Sequence, residues 1–250
     1  MSSTLAVMIR NSLKNGPLVV ASKLLKRFER RHRDAATAWA REQAVEIETW
    51  SRDRDGVLWA ETETIRDRIQ AESGAILRSL PVPLGGAAAF PLLYFVARRY
   101  RPQVMVETGV AAGWSSRGLL EAAKANGGGR LYSSDFPYLR IPDPERYIGC
   151  LVPEDLRTSW HLDIRGDRYA LPALTTTLDR IDLFHYDSDK SASGRRFALE
   201  VVTSMLAEDA VVIMDDINDN LFFKNWTESI GVRPRMFHYC GKYIGALGLD

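Results

Sequence analysis

Acidic residues stand at the ends of four apolar segments of the sequence. In chain order they are Glu107, Asp135, Asp187 and the adjacent pair Asp215-Asp216. In a parallel sheet the carboxyl ends of the strands meet at one edge, and ligands bind there. We therefore predict that these carboxylates share one site.

A cation is the expected partner of the last three carboxylates. Close carboxylates repel one another, and a hard divalent ion takes oxygen ligands readily. Asp187, Asp215 and Asp216 are therefore predicted to bind Mg²⁺ or another divalent cation. In the alternative, Asp187 and Asp215 hold backbone amides or a bound small molecule, and Asp216 lies in solvent.

Two histidines are candidate general bases, His185 and His161. His185 precedes Asp187 by two positions, so strand alternation would put both side chains on one sheet face. An imidazole beside carboxylates can accept a proton near neutral pH. The alternative for each is a histidine buried under a flanking helix.

The most specific signal is the small-residue segment 106–116. Gly109 and Gly113 let a ligand approach the backbone, and Ser115 can donate a hydrogen bond near a helix start. The segment has neither the Gly-x-Gly-x-x-Gly pattern of dinucleotide sites nor the Gly-Lys-Ser/Thr ending of a phosphate loop, so neither NAD nor ATP is predicted. A tight strand-to-helix turn that needs small residues is the alternative.

This segment resembles the first motif of the class I S-adenosylmethionine-dependent methyltransferases, especially the small-molecule O-methyltransferases that use a divalent metal. The family spacing of an acid, Gly and Ser matches Glu107, Gly109 and Ser115. The resemblance implies that Asp135 holds the cosubstrate ribose and that Asp167, after Gly166, lies near the adenine. Gly113 and Asp187 are further cofactor contacts that we expect.

The segment Asp187-Ser188-Asp189-Lys190 is similar to the Asp-x-Asp-Lys motif of catechol and caffeoyl-type enzymes. The resemblance implies that Asp187 binds metal and that Lys190, a predicted catalytic residue with His185, lies near the acceptor oxygen. That group has Asp-Asn where this chain has Asp215-Asp216, and adjacent aspartates resemble the antibiotic-sugar O-methyltransferases instead. The acceptor class therefore stays open.

Strands and helices must position these residues. From Arg101 onwards, β-forming runs alternate with helical ones, which predicts a parallel sheet covered on both faces. Strands are predicted over Val104–Val106, Leu131–Ser133, Trp160–Ile164, Ile181–Tyr186 and Ala210–Met214, a helix over Arg195–Leu206, and an antiparallel pair over Arg235–Tyr239 and Tyr243–Leu247. With the resemblance, this predicts an α/β, Rossmann-like class I methyltransferase fold whose seven-stranded, mostly parallel sheet has an antiparallel final strand.

Residues 1–84 are predicted to be a helical N-terminal extension, and residues 85–250 the methyltransferase domain. An apolar stripe at helical spacing cannot remain in water, so it should cover the acceptor entrance, pack on the sheet domain or form a dimer. We predict a homodimer in which these helices also shape the acceptor pocket. The residues of the stripe are Leu58, Ile65, Ile69, Ile76 and Leu80. A basic helix over Leu18–Arg33 either touches an anionic surface or docks with its charged side in solvent.

Composition narrows the functional classes. The chain has 250 residues, 46% of them hydrophobic and 26% charged, which is typical of a soluble globular protein. Its net charge of +1 gives no overall field that favours nucleic acid. Cys150 and Cys240 suit neither a metal site nor a disulfide scaffold, and no apolar run approaches the roughly 20 residues of a membrane span. We predict a cytoplasmic protein without a membrane span or nucleic-acid partner.

The predicted activity is methyl transfer from S-adenosylmethionine to a hydroxyl oxygen of a small molecule, assisted by a divalent metal. One alternative is metal-independent methyl transfer. The other is a binding protein that keeps the fold and acts through its N-terminal helices.

Overall fold

An eight-stranded sheet crosses the part of the chain that the structure describes. The structure is a computed structural model, and it describes residues 30–80, 84, 88–137 and 142–249. The strands are β1 (Val45–Glu46), β2 (Val104–Thr108), β3 (Arg130–Ser134), β4 (Trp160–Asp163), β5 (Ile181–Tyr186), β6 (Leu206–Met214), β7 (Arg235–Tyr239) and β8 (Lys242–Leu247).

The strands lie in the order β1-β7-β8-β6-β5-β2-β3-β4. Only β8 runs antiparallel to its neighbours β6 and β7 within this sheet, and every other pairing is parallel. The predicted fold is confirmed for the seven strands from β2 to β8. The additional strand β1 comes from the N-terminal extension and pairs Val45 with Phe237, and two residues are too few to produce a periodic pattern.

Eight α-helices are present in the described ranges. They are α1 (Arg33–Gln43), α2 (Ile47–Arg54), α3 (Gly56–Ser79), α4 (Phe90–Tyr100), α5 (Trp114–Asn126), α6 (Asp167–Leu174), α7 (Ala192–Val202) and α8 (Phe222–Ser229). Helices α2 to α5 cover one sheet face, and α1 and α6 to α8 cover the other. The sheet is thus buried on both sides, as the strand sequences predict.

The predicted element bounds are correct at β5 and wrong around β6. Helix α7 begins earlier than expected, because the Ser191 side chain caps it by accepting a hydrogen bond from the Gly194 backbone N–H at 3.0 Å. It ends at Val202, also earlier than expected. The chain then enters β6 at Leu206, four residues before the predicted start. Periodicity alone placed Leu206 at the end of the helix rather than at the start of the strand.

Side-chain alternation along the strands decides which residues meet on the α4–α5 face. Met105 and Leu183 belong to the core on that face, whereas Val106 and Phe184 belong to the core on the other. Residues two positions after the first pair therefore return to the α4–α5 face. This rule puts Glu107 and His185 side by side under the helices.

The N-terminal helices are part of the same packed core. Trp59 of α3 is 2% exposed and lies against Phe95 of α4, with ring centroids 6.1 Å apart. The predicted stripe is fully buried at Ile69, partly covered at Leu58 and Ile65, and exposed at Ile76. Much of this face is thus covered within the chain, which weakens the physical reason for a dimer; the dimer itself stays a prediction.

The described part of the chain begins at residue 30, so most of the predicted basic helix over Leu18–Arg33 lies outside it. None of the helices in the described ranges is long and apolar enough to cross a membrane.

We expect Trp59→Ala to lower the free energy of unfolding by about 3–5 kcal/mol, because it removes a buried indole from the core shared by α3 and α4. Urea denaturation of the whole chain measures this. Val57→Ala is the control, since Val57 on the same helix is 86% exposed and its loss should change stability by less than about 0.5 kcal/mol. Equal effects of the two substitutions would contradict the assignment of α3 to the core.

Candidate functional site

A row of buried polar side chains crosses the sheet near the carboxyl ends of its strands. Glu107 on β2 pairs in register with Ser133 on β3 and with His185 on β5. All three lie on the α4–α5 face and are buried. The row begins at Trp160 on β4 and ends at Asp215, directly after β6.

Hydroxyl and indole groups hold one oxygen of Glu107. Its Oε2 accepts hydrogen bonds from Ser116 Oγ at 2.5 Å and from Ser133 Oγ at 2.8 Å. Ser133 Oγ in turn accepts a hydrogen bond from Trp160 Nε1 at 2.9 Å. Donors from α5 and β3 therefore compensate the burial of this carboxylate.

His185 has no exposed surface and lies between two carboxylates. Its Nδ1 is 3.5 Å from Glu107 Oε1, and its Nε2 is 3.6 Å from Asp215 Oδ1. Burial lowers the pKa of His185, but Asp215 and Glu107 outweigh it and raise the pKa to about 10. An enclosed imidazolium cannot reach an acceptor hydroxyl, so this geometry does not support the predicted role of His185 as a general base.

Lys190 lies between two other carboxylates. Its ammonium is hydrogen-bonded to Asp216 Oδ2 and is 3.4 Å from Asp187 Oδ1. Lys242 Nζ is 3.7 Å from the same Asp216 oxygen. The predicted catalytic lysine and two of the predicted metal ligands are thus together at the ends of β5 and β6.

The charges of this cluster shift two aspartates in opposite directions. Burial and the nearby Asp215 carboxylate raise the pKa of Asp187 to about 6, against the opposing effect of Lys190. Burial alone would raise the pKa of Asp215, but His185, with Lys242 and Lys190, lowers it below its ordinary value. Asp215 therefore stays ionised while Asp187 binds a proton more readily.

The three predicted metal ligands do not form a divalent-ion site as they are placed here. In the described ranges, no three His, Cys, Asp or Glu side chains converge so that they could hold a metal. The Lys190 ammonium occupies the space between Asp187 and Asp216. The Mg²⁺ prediction gains no support from this arrangement and stays a prediction.

Asp135 holds the glycine loop, which we define as residues 109–113. Its Oδ2 accepts backbone hydrogen bonds from Val110 at 3.0 Å and Ala111 at 2.6 Å, and its Oδ1 accepts one from Phe136 at 2.5 Å. Burial nevertheless raises the pKa of Asp135 to about 6. Nearby, Asp167 accepts hydrogen bonds from Ser134 and Ser188 side chains, and burial raises its pKa as well.

The two loop glycines are needed for close packing of the chain. Gly109 has φ +83°, and a Cβ there would lie 2.4 Å from the Asp187 carbonyl oxygen. Gly113 has φ +101°, and its Cβ would lie 3.0 Å from Gly149 Cα. Ser115 is 3% exposed in the first turn of α5. The structure thus brings Gly109 to Asp187, places Gly113 against Gly149 of another segment and buries Ser115; the cofactor contacts of Gly113 and Ser115 stay predictions.

That covering segment, residues 148–152, lies on the glycine loop through backbone hydrogen bonds. The Gly149 N–H donates to the Ala111 carbonyl at 2.9 Å, and the Leu151 N–H donates to the Ala112 carbonyl at 2.9 Å. The buried Arg117 of α5 also pairs with Glu72 of α3. The N-terminal helices are therefore joined to the helix that comes directly after the loop.

Sequence reasoning missed two residues that fix the acidic cluster. Buried Arg195 on α7 donates to the backbone carbonyls of Asp215 at 3.2 Å and Asp216 at 2.7 Å. Asn220 donates to the Lys190 carbonyl at 2.8 Å. No sequence pattern indicates that an arginine in a predicted helix is buried. In contrast, a serine within an apolar strand, such as Ser133, could have indicated a buried polar position.

Residues 106–217 match the sequence model of a family described as a methyltransferase domain. The match spans the glycine loop, Asp135, Lys190 and the Asp215-Asp216 pair, and the sheet around it is mostly parallel with the predicted antiparallel last strand. The chain has the fold of the class I methyltransferases. The prediction of a methyltransferase is thus confirmed. Among curated proteins, none matches the chain.

Solved structures with this fold include other methyltransferases. One from Geobacter sulfurreducens is 20% identical, with a TM-score of 0.53 over 72% of this chain and 87% of its own. An O-methyltransferase from Bacillus cereus in complex with SAH is 14% identical, with a TM-score of 0.50 over 83% and 98%. The O-methyltransferase TomG of Streptomyces achromogenes, in complex with SAM, is 17% identical, with a TM-score of 0.50 over 76% and 88%. At these identities the similarity shows the fold.

We expect Gly109→Ala to destabilise the methyltransferase domain more than Gly127→Ala, by at least about 1 kcal/mol, because only the first also creates a clash. Both glycines have φ +83°, but a Cβ at Gly127 meets nothing within 4 Å. The shared backbone strain costs each variant about 1–2 kcal/mol. Urea unfolding of the two variants measures the difference, and equal losses would contradict the close approach of Gly109 to Asp187.

Proposed function

We propose that this methyltransferase domain transfers the methyl group of S-adenosylmethionine to a hydroxyl oxygen of a small molecule. The observation that carries the proposal is the Lys190 ammonium between Asp187 and Asp216, beside the glycine loop. A cation and a carboxylate at one place can hold a hydroxyl group and take its proton. The Bacillus cereus and Streptomyces achromogenes proteins, both described as O-methyltransferases, agree with this choice of acceptor.

The carboxylates beside the glycine loop suit the polar groups of S-adenosylmethionine. Asp135 would accept hydrogen bonds from the ribose hydroxyls, and Asp167 lies at the start of α6, where the adenine is expected. Glu107 and the buried first turn of α5 would support the methionine end. Bound here, the cosubstrate supplies a reactive methyl group on a cationic sulfur.

The protein's own groups would align the acceptor and receive its proton. The Lys190 ammonium would donate a hydrogen bond to the acceptor oxygen and favour its ionised form. Asp187, whose side chain is 17% exposed beside Lys190, would take the hydroxyl proton. The oxygen lone pair then forms the new bond to carbon, and the carbon–sulfur bond breaks with its electrons on sulfur.

Metal-assisted transfer is the second candidate, because three oxygens of the predicted metal ligands lack a hydrogen-bond donor among the described residues. They are both oxygens of Asp215 and Oδ1 of Asp187. Mg²⁺ takes oxygen ligands, but it would have to displace Lys190 from the space between Asp187 and Asp216. We therefore favour metal-independent transfer and test the ion directly.

Other parts of the proposal concern the whole chain. We keep the division into an extension over residues 1–84 and a domain over residues 85–250 as a proposal, although α3 packs tightly on α4. The small-molecule acceptor, the homodimer and the cytoplasmic location are likewise proposals. If no acceptor is methylated, the alternative is a binding protein that keeps the fold and acts through its N-terminal helices.

We expect Lys190→Met to reduce turnover at least about a hundredfold, because the variant loses the charge at the acceptor oxygen. Affinity for S-adenosylhomocysteine should stay nearly unchanged, since Lys190 lies on the acceptor side. Turnover is measured with labelled S-adenosylmethionine across a panel of phenols and sugars, and affinity by calorimetry.

The matched control is Lys224→Met, which removes an ammonium that pairs with Glu228 at 2.5 Å on the surface of α8. It should keep full activity. Repeating the assay after exhaustive treatment with EDTA separates the two candidates: unchanged turnover supports metal-independent transfer, and loss that Mg²⁺ restores supports the metal. A Lys190→Met enzyme with normal turnover would refute the role given to the ammonium.

Affinity for S-adenosylhomocysteine should fall as the pH is lowered through about 6. The pKa of Asp135 is raised to about 6, so at lower pH its carboxylate becomes protonated and accepts ribose hydroxyls poorly. At one pH unit below this pKa the affinity should be about tenfold weaker. Calorimetry between pH 5 and pH 8 measures the profile.

Asp135→Asn should bind more weakly at pH 8 and lose most of this pH dependence. Asp155→Asn is the control, since the exposed Asp155 pairs at 2.7 Å with Lys124 in the last turn of α5, whereas the glycine loop comes before the first turn. A profile in Asp135→Asn that matches the unaltered protein would remove Asp135 from the ribose site.

A further inference from the structure

We propose that His185 is a positioning residue that couples the cosubstrate side of the site to its acceptor side, by holding one carboxylate from each side. The inference rests on the proposed methyl transfer and adds to it a connection between the two halves. His185 itself touches neither the cosubstrate nor the acceptor, because it is completely buried.

The geometry makes the imidazole the link between Glu107 and Asp215. Its two nitrogens point to carboxylates on opposite sides, at 3.5 Å on the β2 side and 3.6 Å on the β6 side. At these distances the contacts are ion pairs between one ring and two carboxylates, and the ring separates two buried negative charges that would otherwise face each other. Each carboxylate therefore depends on the same cation for the compensation of its buried charge.

On the cosubstrate side, a displacement of Glu107 reaches the glycine loop. Its other oxygen is bound by Ser116, which lies in the first turn of α5 directly after the loop, and by Ser133 on β3. Asp135 comes one residue after β3 and holds the loop from the other direction. The position of Glu107 thus affects both elements that surround the proposed cosubstrate.

On the acceptor side, a displacement of Asp215 reaches Lys190. Arg195 binds the backbone carbonyls of Asp215 and Asp216 together, so the two residues move as one unit. Asp216 pairs with the Lys190 ammonium. A shared cation between buried groups gives non-additive effects when both partners are altered.

The test is a double-mutant cycle read out as affinity for S-adenosylhomocysteine. Glu107→Gln, Asp215→Asn and the double variant are compared by calorimetry with the unaltered protein, and the cycle is repeated with His185→Gln. With His185 present, the combined effect should differ from the product of the single effects by about fivefold or more. With His185→Gln, the two effects should multiply within about twofold.

The matched control is His238→Gln. His238 also pairs with a carboxylate, Glu46, at 2.6 Å, but the pair lies on the exposed β1–β7 edge. The cycle in this background should keep the full coupling of the unaltered protein. A purely structural role of His185 would lower the melting temperature and leave the coupling between Glu107 and Asp215 unchanged.

Each outcome decides between the proposals. If the effects of Glu107→Gln and Asp215→Asn on affinity multiply in the unaltered background, the inference is wrong. This outcome is measurable even if no His185 variant folds. Coupling that persists with His185→Gln also overturns it. If the unaltered protein does not bind S-adenosylhomocysteine at all, the proposed function fails first, so the two failures are distinguishable.

Discussion

The ion pairs that His185 makes with Glu107 and Asp215 impose conditions on most of the sheet. Both carboxylates and the imidazole are buried, and each buried charge needs a partner at close range. The strands β6, β5, β2, β3 and β4 are consecutive neighbours, so one row of side chains crosses them all. Trp160, Ser133 and Ser116 complete the row by hydrogen bonding towards Glu107. A shift in the register of any of these strands would leave a buried charge without its partner.

Two cations, His185 and Lys190, lie among the carboxylates at the carboxyl ends of the strands, the first in a buried place and the second in an accessible one. His185 lies among carboxylates with no exposed surface, whereas the Lys190 side chain is 35% exposed between Asp187 and Asp216. The first cation therefore has a structural effect, and the second can meet a ligand. Each cation thus lies between two of the carboxylates at the strand ends, His185 between Glu107 and Asp215 and Lys190 between Asp187 and Asp216.

The surroundings of the site come from parts of the chain that lie far apart in the sequence. Residues 148–152 pair with the glycine loop through backbone groups, and Arg117 connects α5 to Glu72 on α3. The N-terminal helices thus support the helix that comes directly after the loop. Their tight packing, with Trp59 in the common core, means that the extension and the sheet share their stability.

The sequence by itself determined the alternation of strands and helices, the antiparallel final strand and the acidic residues at the strand ends, because apolar periodicity and strand-end position are local patterns. It also identified Lys190 and the glycine loop through a resemblance of motifs. Only the tertiary structure decided which carboxylates meet a cation, that His185 is enclosed and that Arg195 fixes Asp215 and Asp216. Burial and distances between strands depend on the register of the whole sheet, and no local pattern encodes where a side chain from one strand meets a side chain from another.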